Sequence, residues 1–188
     1  MDELTGRLLV AVPREGGGGD PEDIFDRSVV LVLHHDGDGA HGLVLNRPLE
    51  AKVDAVLPAW QPHVSDPGLI FQGGPVALDT AMGLVSMPGD SETLGIQRLF
   101  AGVALVDLDA PPPVVMPEIA ALRIFAGYSG WGAGQLDQEL RAGHWFVAEQ
   151  EARDAFSSSP QTLWTQVLRR QRGSMAFAAS FPSDPSLN

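Results

Sequence analysis

LRIFAGYSGWGAGQLDQEL, residues 122–140, runs an apolar segment into a glycine-rich one and then into a polar one. Leu122 to Ala126 reads as a strand and Gln135 to Arg141 as a short helix, with Gly127, Gly130, Gly132 and Gly134 set around Tyr128, Ser129 and Trp131 between them. Strand, glycine turn and helix open a nucleotide-binding α/β unit only where the glycines fall at three required positions, one for the turn, one for approach to the pyrophosphate and one for helix packing. Counted from Gly132, the third position is Asp137, and counted from Gly130 it is Gln135. Asp137 would also place a negative charge in the first helical turn, where the phosphate should sit. The dinucleotide reading fails, so the fold class rests on the order of the other elements.

That order is mixed. Gly6 to Val12 and Ser28 to His34 are short aliphatic runs bounded by turn residues, the pattern of central strands buried on both faces. Gly42 to Asn46, Leu69 to Gln72, Met82 to Met87, Gly102 to Leu108 and Trp145 to Val147 read as further strands, and Gln161 to Arg170 as an amphipathic helix. Arg47-Pro48 should end the strand before it, since proline cannot donate to a ladder. Gly16 to Gly19 reads as a flexible loop, Asp20-Pro21-Glu22-Asp23 as the capped start of a short helix, and Ala110-Pro111-Pro112-Pro113 as a stiff linker between a strand-rich and a helix-richer part. Strands and helices do not alternate strictly, which predicts α+β rather than a doubly wound sheet.

Composition narrows the function. The chain has 188 residues, 44% hydrophobic and 19% charged, enough for one domain with a real core. Acids outnumber bases 24 to 12, a formal charge of −12, and no basic run is available to neutralise a phosphate backbone. Arg169-Arg170-Gln171-Arg172 is read as the basic last turn of a helix rather than a nucleic-acid patch. The absence of cysteine removes disulfides, thiol nucleophiles and thiolate metal sites. An acidic start and the short apolar run Val29 to Leu33 predict a cytoplasmic protein with no membrane partner.

The motifs admit three chemical readings. A nucleophile elbow needs glycine two residues either side of its serine; Ser129 has Gly127 before it but Trp131 after it, leaving a hydrolase using Ser129 and His144 as an alternative without a defined acid. His34-His35-Asp36-Gly37-Asp38-Gly39-Ala40-His41 fails the calcium-loop pattern at Ala40 and His41 and reads as a solvated hairpin turn, with a histidine–carboxylate site as the alternative; no metal is expected there, and no cofactor is expected of the chain. What remains is binding. Asn46-Arg47, Gly73-Gly74 and Tyr128 to Gln135 each follow a strand and turn on glycine or proline, and they are expected to meet at one rim of the sheet and border a polar cleft. The candidate binding residues are Asn46, Arg47, Gly73, Gly74, Tyr128, Trp131 and Gln135; Asn46 has the alternative of a strut for loop backbone, and Tyr128 and Trp131 of packing over the sheet.

The segments GRLLVA at Gly6 to Ala11, GLVLNRPL at Gly42 to Leu49, GGPV at Gly73 to Val76, GYSGWGAGQLDQEL at Gly127 to Leu140 and the ending DPSLN at Asp184 to Asn188 together resemble the YqgE/AlgH family of bacterial proteins. The resemblance implies one α+β domain with a bifurcated, mostly antiparallel sheet curled towards a barrel and flanked by helices. It implies no agreed activity or cofactor, although a transcriptional-regulator label follows some members. The resulting expectation is a single domain over residues 1–188, a monomer or weak dimer, that binds a small polar ligand or a protein partner, with regulation exerted indirectly rather than by direct DNA contact.

Two outcomes follow. Fluorescence anisotropy with random-sequence duplex DNA at physiological salt should show no titration, because the charge balance supplies no counterion release. A serine-directed fluorophosphonate should leave Ser129 unlabelled, and stoichiometric labelling there would restore the hydrolase reading.

Overall fold

The computed structural model describes residues 3–14 and 23–180, apart from the side chain of Ser174. The Gly16 to Gly19 loop, most of the Asp20 to Asp23 helix start and the Asp184 to Asn188 ending lie outside the described residues. Ten strands are described: β1 (Arg7–Ala11), β2 (Val29–Asp36), β3 (Gly39–Val44), β4 (Pro48–Lys52), β5 (Leu69–Gln72), β6 (Val76–Ser86), β7 (Ile96–Phe100), β8 (Val103–Val106), β9 (Ala121–Gly132) and β10 (Trp145–Glu149). Four short helices accompany them: α1 (Pro112–Val115), α2 (Gln135–Arg141), α3 (Leu163–Arg169) and α4 (Ser174–Ala178). The fold is α+β, with one curled sheet in the order β10-β1-β2-β3-β9-β6-β8-β7 and a branch in which β5 pairs with both β4 and β9.

β9 is where the sheet forks. Its C-terminal half pairs antiparallel with β3, Gly42 opposite Ser129 through Gly39 opposite Gly132. On that same edge its earlier residues Phe125 and Ala126 pair in parallel with Phe71 and Gln72 of β5. β6 runs antiparallel along the other edge. The two branches are joined by Gly73, whose N–H donates to the Ala126 carbonyl at 2.9 Å and whose own carbonyl accepts from the Val44 N–H at 2.8 Å and the Ser129 hydroxyl at 3.0 Å.

No side chain fits in the fork. A Cβ on Gly73 would stand 2.5 Å from the Gly127 oxygen and 2.7 Å from a Leu43 methyl, and a Cβ on Gly74 would overlap the Tyr128 carbonyl and the Ser129 nitrogen. The GGPV segment is thus a close approach of backbones. Gly127 adds a second constraint, with φ of +69°, a conformation side-chain-bearing residues adopt only at a cost. The β6–β9 register shifts across it, between Ala81 opposite Ala126 and Val76 opposite Tyr128, as a bulge requires. Before it, Phe125 belongs to one core; four residues beyond it, Trp131 belongs to another.

Three apolar clusters follow from the alternation of strand side chains. Leu8, Val10, Val29, Leu31, Leu43 and Leu45 join Phe71, Leu84 and Phe125 from the other wing on the inner face of the curl, where Leu163, Trp164, Val167 and Leu168 of α3 cover them. The intervening residues Leu9, Val30, Val32 and Val44 face the opposite way, under Leu136 and Leu140 of α2. Both faces being covered is why β1 and β2 read as continuous aliphatic runs. The third cluster packs Val85, Val106, Leu122 and Ile124 against Val53, Trp60 and Val115. Each fully buried aliphatic contributes about 1.5–3 kcal/mol.

One polar side chain enters the inner core. Arg123 is 1% exposed, stacks 4.2 Å over the Phe71 ring and donates to the carbonyls of Asp66, Ala155 and Ser157. Burial pushes its guanidinium down to about 10, against the opposing attraction of Asp66. Its position ties the 154–157 turn to the centre of β9.

Several sequence expectations are corrected. The strand beginning at Leu122 does not stop at Ala126 but runs to Gly132, because glycines continue a ladder when their neighbours supply the hydrogen bonds. Pro48 begins β4 rather than merely ending a strand; β4 pairs only with β5, and an edge strand tolerates a residue with no N–H. β6 starts at Val76, directly after the GGP turn, and β7 is a strand missing from the sequence reading. The prolines do not form a linker: Pro112 is buried in α1, and β9 just beyond returns to the middle of the sheet.

Gly74→Ala should therefore destabilise the protein by about 3 kcal/mol or more, since the clash is with backbone that cannot swing aside. Gly37→Ala, in the hairpin turn with nothing within 4 Å of its Cβ position, should shift stability by less than about 0.5 kcal/mol. Urea unfolding of the two variants against the parent checks both.

Candidate functional site

The glycine-rich end of β9 delivers Trp131 to the outer face of the sheet, with Gly130 bordering the same hollow, and α2 begins at Gln135 right after it. One helical turn separates Gln135 from Glu139, and both line a hollow of about 390 Å³, while Leu136 and Leu140 turn into the core beneath. The opposite wall is Phe25 and Asp26 with the Ala11 to Arg14 segment; Pro75, Gly143, His144 and Trp145 also line it.

Glu139 organises the base of this hollow. Its Oε2 accepts from the indole N–H of Trp131 at 2.9 Å and of Trp145 at 2.8 Å, and its Oε1 accepts from the Gln135 amide at 3.4 Å. Gln135 in turn accepts from the Gly132 N–H at 3.0 Å. The indoles meet edge to face with centroids 6.3 Å apart, and Phe25 stands at 87° to Trp145 with a 6.0 Å separation. A carboxylate offers about four acceptor positions, so three donors leave Glu139 capacity for one more. Asp26 adds a second acidic group, whereas the cation at the rim, Arg14, is paired with Asp23 at 3.1 Å.

The candidate residues divide into two groups. Trp131 and Gln135 line the hollow, which is also bordered by Gly130 and, beside the double glycine, by Pro75. Gly73 and Gly74 are buried in the fork, in backbone contact with Tyr128 and Ser129. Tyr128 packs edge to face on His41 at 5.4 Å. Asn46 is a strut, its Oδ1 accepting from the Val29 N–H at 3.0 Å and its amide donating to the Arg27 carbonyl at 2.9 Å. Arg47 donates to the carbonyls of Asp23, Ile24 and Asp26 at 2.7–3.1 Å. It does not line the hollow, but it holds the turn that carries two of its lining residues, Phe25 and Asp26. Glu139, Trp145 and Phe25 were not singled out from the sequence; the spacing of Gln135 and Glu139 on one helical face was the available signal.

Ser129 is fully buried, with its hydroxyl given to Gly73, while His144 is exposed at the hollow and has no side-chain hydrogen bond to it. The hydrolase pairing therefore has no geometry behind it. At the hairpin turn, His34 Nε2 lies 2.7 Å from Asp36 Oδ2, and that contact, with the Asp38 N–H, lowers the exposed Asp36 carboxylate below its ordinary pKa. Among the described residues no group of three or more histidine and carboxylate side chains is placed to hold a metal. No helix among them is long and apolar enough to cross a membrane.

Comparison with known proteins places this architecture. The AlgH-like family model (DUF179) matches residues 9–176. A UPF0301 protein of Streptomyces coelicolor is 50% identical, the match covering 100% of this chain and 97% of that one. A UPF0301 protein of Thermobifida fusca is 44% identical over 98% of this chain and 96% of its own. Among solved structures, the crystal structure of a Corynebacterium diphtheriae protein superposes with a TM-score of 0.85 at 29% identity, covering 96% of this chain and 94% of that one. The solution structure of AlgH from Pseudomonas aeruginosa gives 0.67 at 24% identity, covering 96% and 95%, a likeness of fold. The chain belongs to the AlgH-like family.

Proposed function

We propose that this protein is a ligand-binding domain whose site is the hollow between α2, the end of β9, the start of β10 and the Asp23–Asp26 turn, and that the ligand is a small organic cation with an apolar body. The observation that carries this reading is Glu139: one carboxylate gathers two indole N–H groups and a side-chain amide in a hollow walled by three aromatic rings, with acceptor capacity left over. Trp145 and Phe25 supply aromatic surface of the kind that attracts a positive charge. Asp26 reinforces the sign, and a volume near 390 Å³ falls within the range of small-molecule sites. A regulatory output, on this reading, comes from ligand occupancy and not from contact with DNA.

The three aromatic rings lie at the site, so intrinsic tryptophan fluorescence reports occupancy. Titration with phenethylamine should give a saturable change, and phenylethanol, its uncharged counterpart, should bind at least about tenfold more weakly, the worth of one charge-assisted hydrogen bond. Glu139→Gln should lose the preference for the amine while remaining folded, at a stability cost of about 1–2 kcal/mol. Equal binding of the amine and the alcohol, or no saturable response to either, would sink the proposal.

A further inference from the structure

A second hollow, of about 900 Å³, opens on the opposite, inner face of the sheet, between the ends of β6 and β9 at Ser86 and Ala121 and the side of α3. Its chemistry is the reverse of the first. Arg153, Arg169 and Arg170 line it, three of the chain's twelve basic side chains, together with the consecutive hydroxyls of Ser157, Ser158 and Ser159. Such a concentration is not expected of a chain with net charge −12, and core packing does not require it.

The arginines are held to different degrees. Arg170 is fixed by a two-pronged contact with the buried Asp154, at 2.7 and 2.6 Å, and by the Glu149 carbonyl. The Asp154 hydrogen bond, ahead of its charge and that of Glu151, holds the Arg170 guanidinium above its ordinary pKa. Arg153 shares Glu151 at 2.8 Å. Arg169 is exposed and has no acceptor among the described residues. Arg123 sits behind the loop and donates to the Ala155 and Ser157 carbonyls at 3.2 and 2.9 Å, so a buried cation holds the serines in place. Against these four guanidinium groups stand Glu151, Asp154 and, beside Arg123, Asp66. The local balance is therefore positive, and since charges farther away than about 8 Å are largely screened at physiological salt, the acidic remainder of the surface does not cancel it.

The serines add donors. Ser157 Oγ accepts from the Ser159 N–H at 3.1 Å, while the hydroxyls of Ser158 and Ser159 have no protein partner among the described residues. One unpaired guanidinium and two uncommitted hydroxyls lining one hollow match the acceptors of a single phosphate group. It does not match a nucleic-acid strand, which would require cations repeated along its length. Phe156, half-buried at the edge of the groove, offers apolar surface next to these donors for the rest of a small molecule.

We propose that this groove binds a phosphomonoester, with the phosphate on Arg169 and the Ser158 and Ser159 hydroxyls, flanked by Arg153 and Arg170, and the organic body over Phe156. The site is separate from the hollow at Glu139, and neither proposal depends on the other. The test is ¹H–¹⁵N NMR of the full chain titrated with inorganic phosphate and with glycerol 3-phosphate, at ionic strength held constant with chloride. Saturable shifts confined to the groove, at Arg153, Phe156 to Ser159, Arg169 and Arg170, are expected, with glycerol 3-phosphate binding more tightly than phosphate. Arg169→Ala should weaken both by at least about tenfold. Ser158→Ala should weaken them severalfold, and Glu139→Gln should leave them unchanged. Shifts that stay linear to tens of millimolar, shifts spread over the surface, or unaltered affinity in Arg169→Ala would overturn the proposal; the Arg169 side chain is exposed, so its variant tests binding without a core being disturbed.

Discussion

The fold depends on Gly73. Its N–H closes on Ala126 of β9, and its carbonyl takes both the Val44 N–H at the end of β3 and the Ser129 hydroxyl. That one residue, directly after β5, bonds to β9 and to β3, and so bridges the two strands that diverge along a single edge of β9. A sheet cannot carry two neighbours on one edge without parting them, and the parting would expose unpaired polar groups at a cost of about 1–3 kcal/mol each where water is excluded. Gly73 fills the gap with donors and acceptors, and Gly74, which has no side chain, passes flat against the backbone of Tyr128.

Both hollows follow from that arrangement. The bulge at Gly127 resets the alternation of β9, so Phe125 goes to the inner core and Trp131 to the outer face, where it meets Trp145 and Glu139. On the inner face, α3 is docked by Trp164, whose indole N–H reaches the Ala11 carbonyl at 3.0 Å, and Arg123 ties the 154–157 turn down beside it. Helix and turn cover part of the curl and leave the arginine-lined groove between them and the ends of β6 and β9. The sheet thus presents an acidic, aromatic hollow on one face and a basic, hydroxyl-rich one on the other.

The sequence was legible where one element alone decides the structure. β1 and β2 are buried on both faces, so their aliphatic runs carry the signal without reference to neighbours. The Asp36 to Gly39 turn and the boundaries of α2 were readable for the same local reason. The triple proline and the glycines of β9 were misread because each residue type marks a break in an isolated chain, while in the fold a buried helical turn and a bulge accept them; Pro48 does close off the strand before it and also opens the edge strand β4. Within the site, Trp131 and Gln135 could be named from the glycine-rich segment, but Asn46 and Arg47, equally prominent in sequence, hold loop backbone.

The sequence by itself determined an acidic α+β chain with two central strands, the helix after the glycine segment, the family, and the failure of the dinucleotide, elbow and calcium patterns. Those properties are carried by composition and by spacing within a few residues. Tertiary structure alone decided that Glu139 joins Trp131 to Trp145, that Ser129 is sealed behind Gly73, and that Arg123 stands behind the serines of the 157–159 turn. Each is a contact between segments whose separation or orientation is set by the fork in β9, and that fork depends on backbone hydrogen bonds and the absence of two Cβ atoms, which no hydrophobic period records.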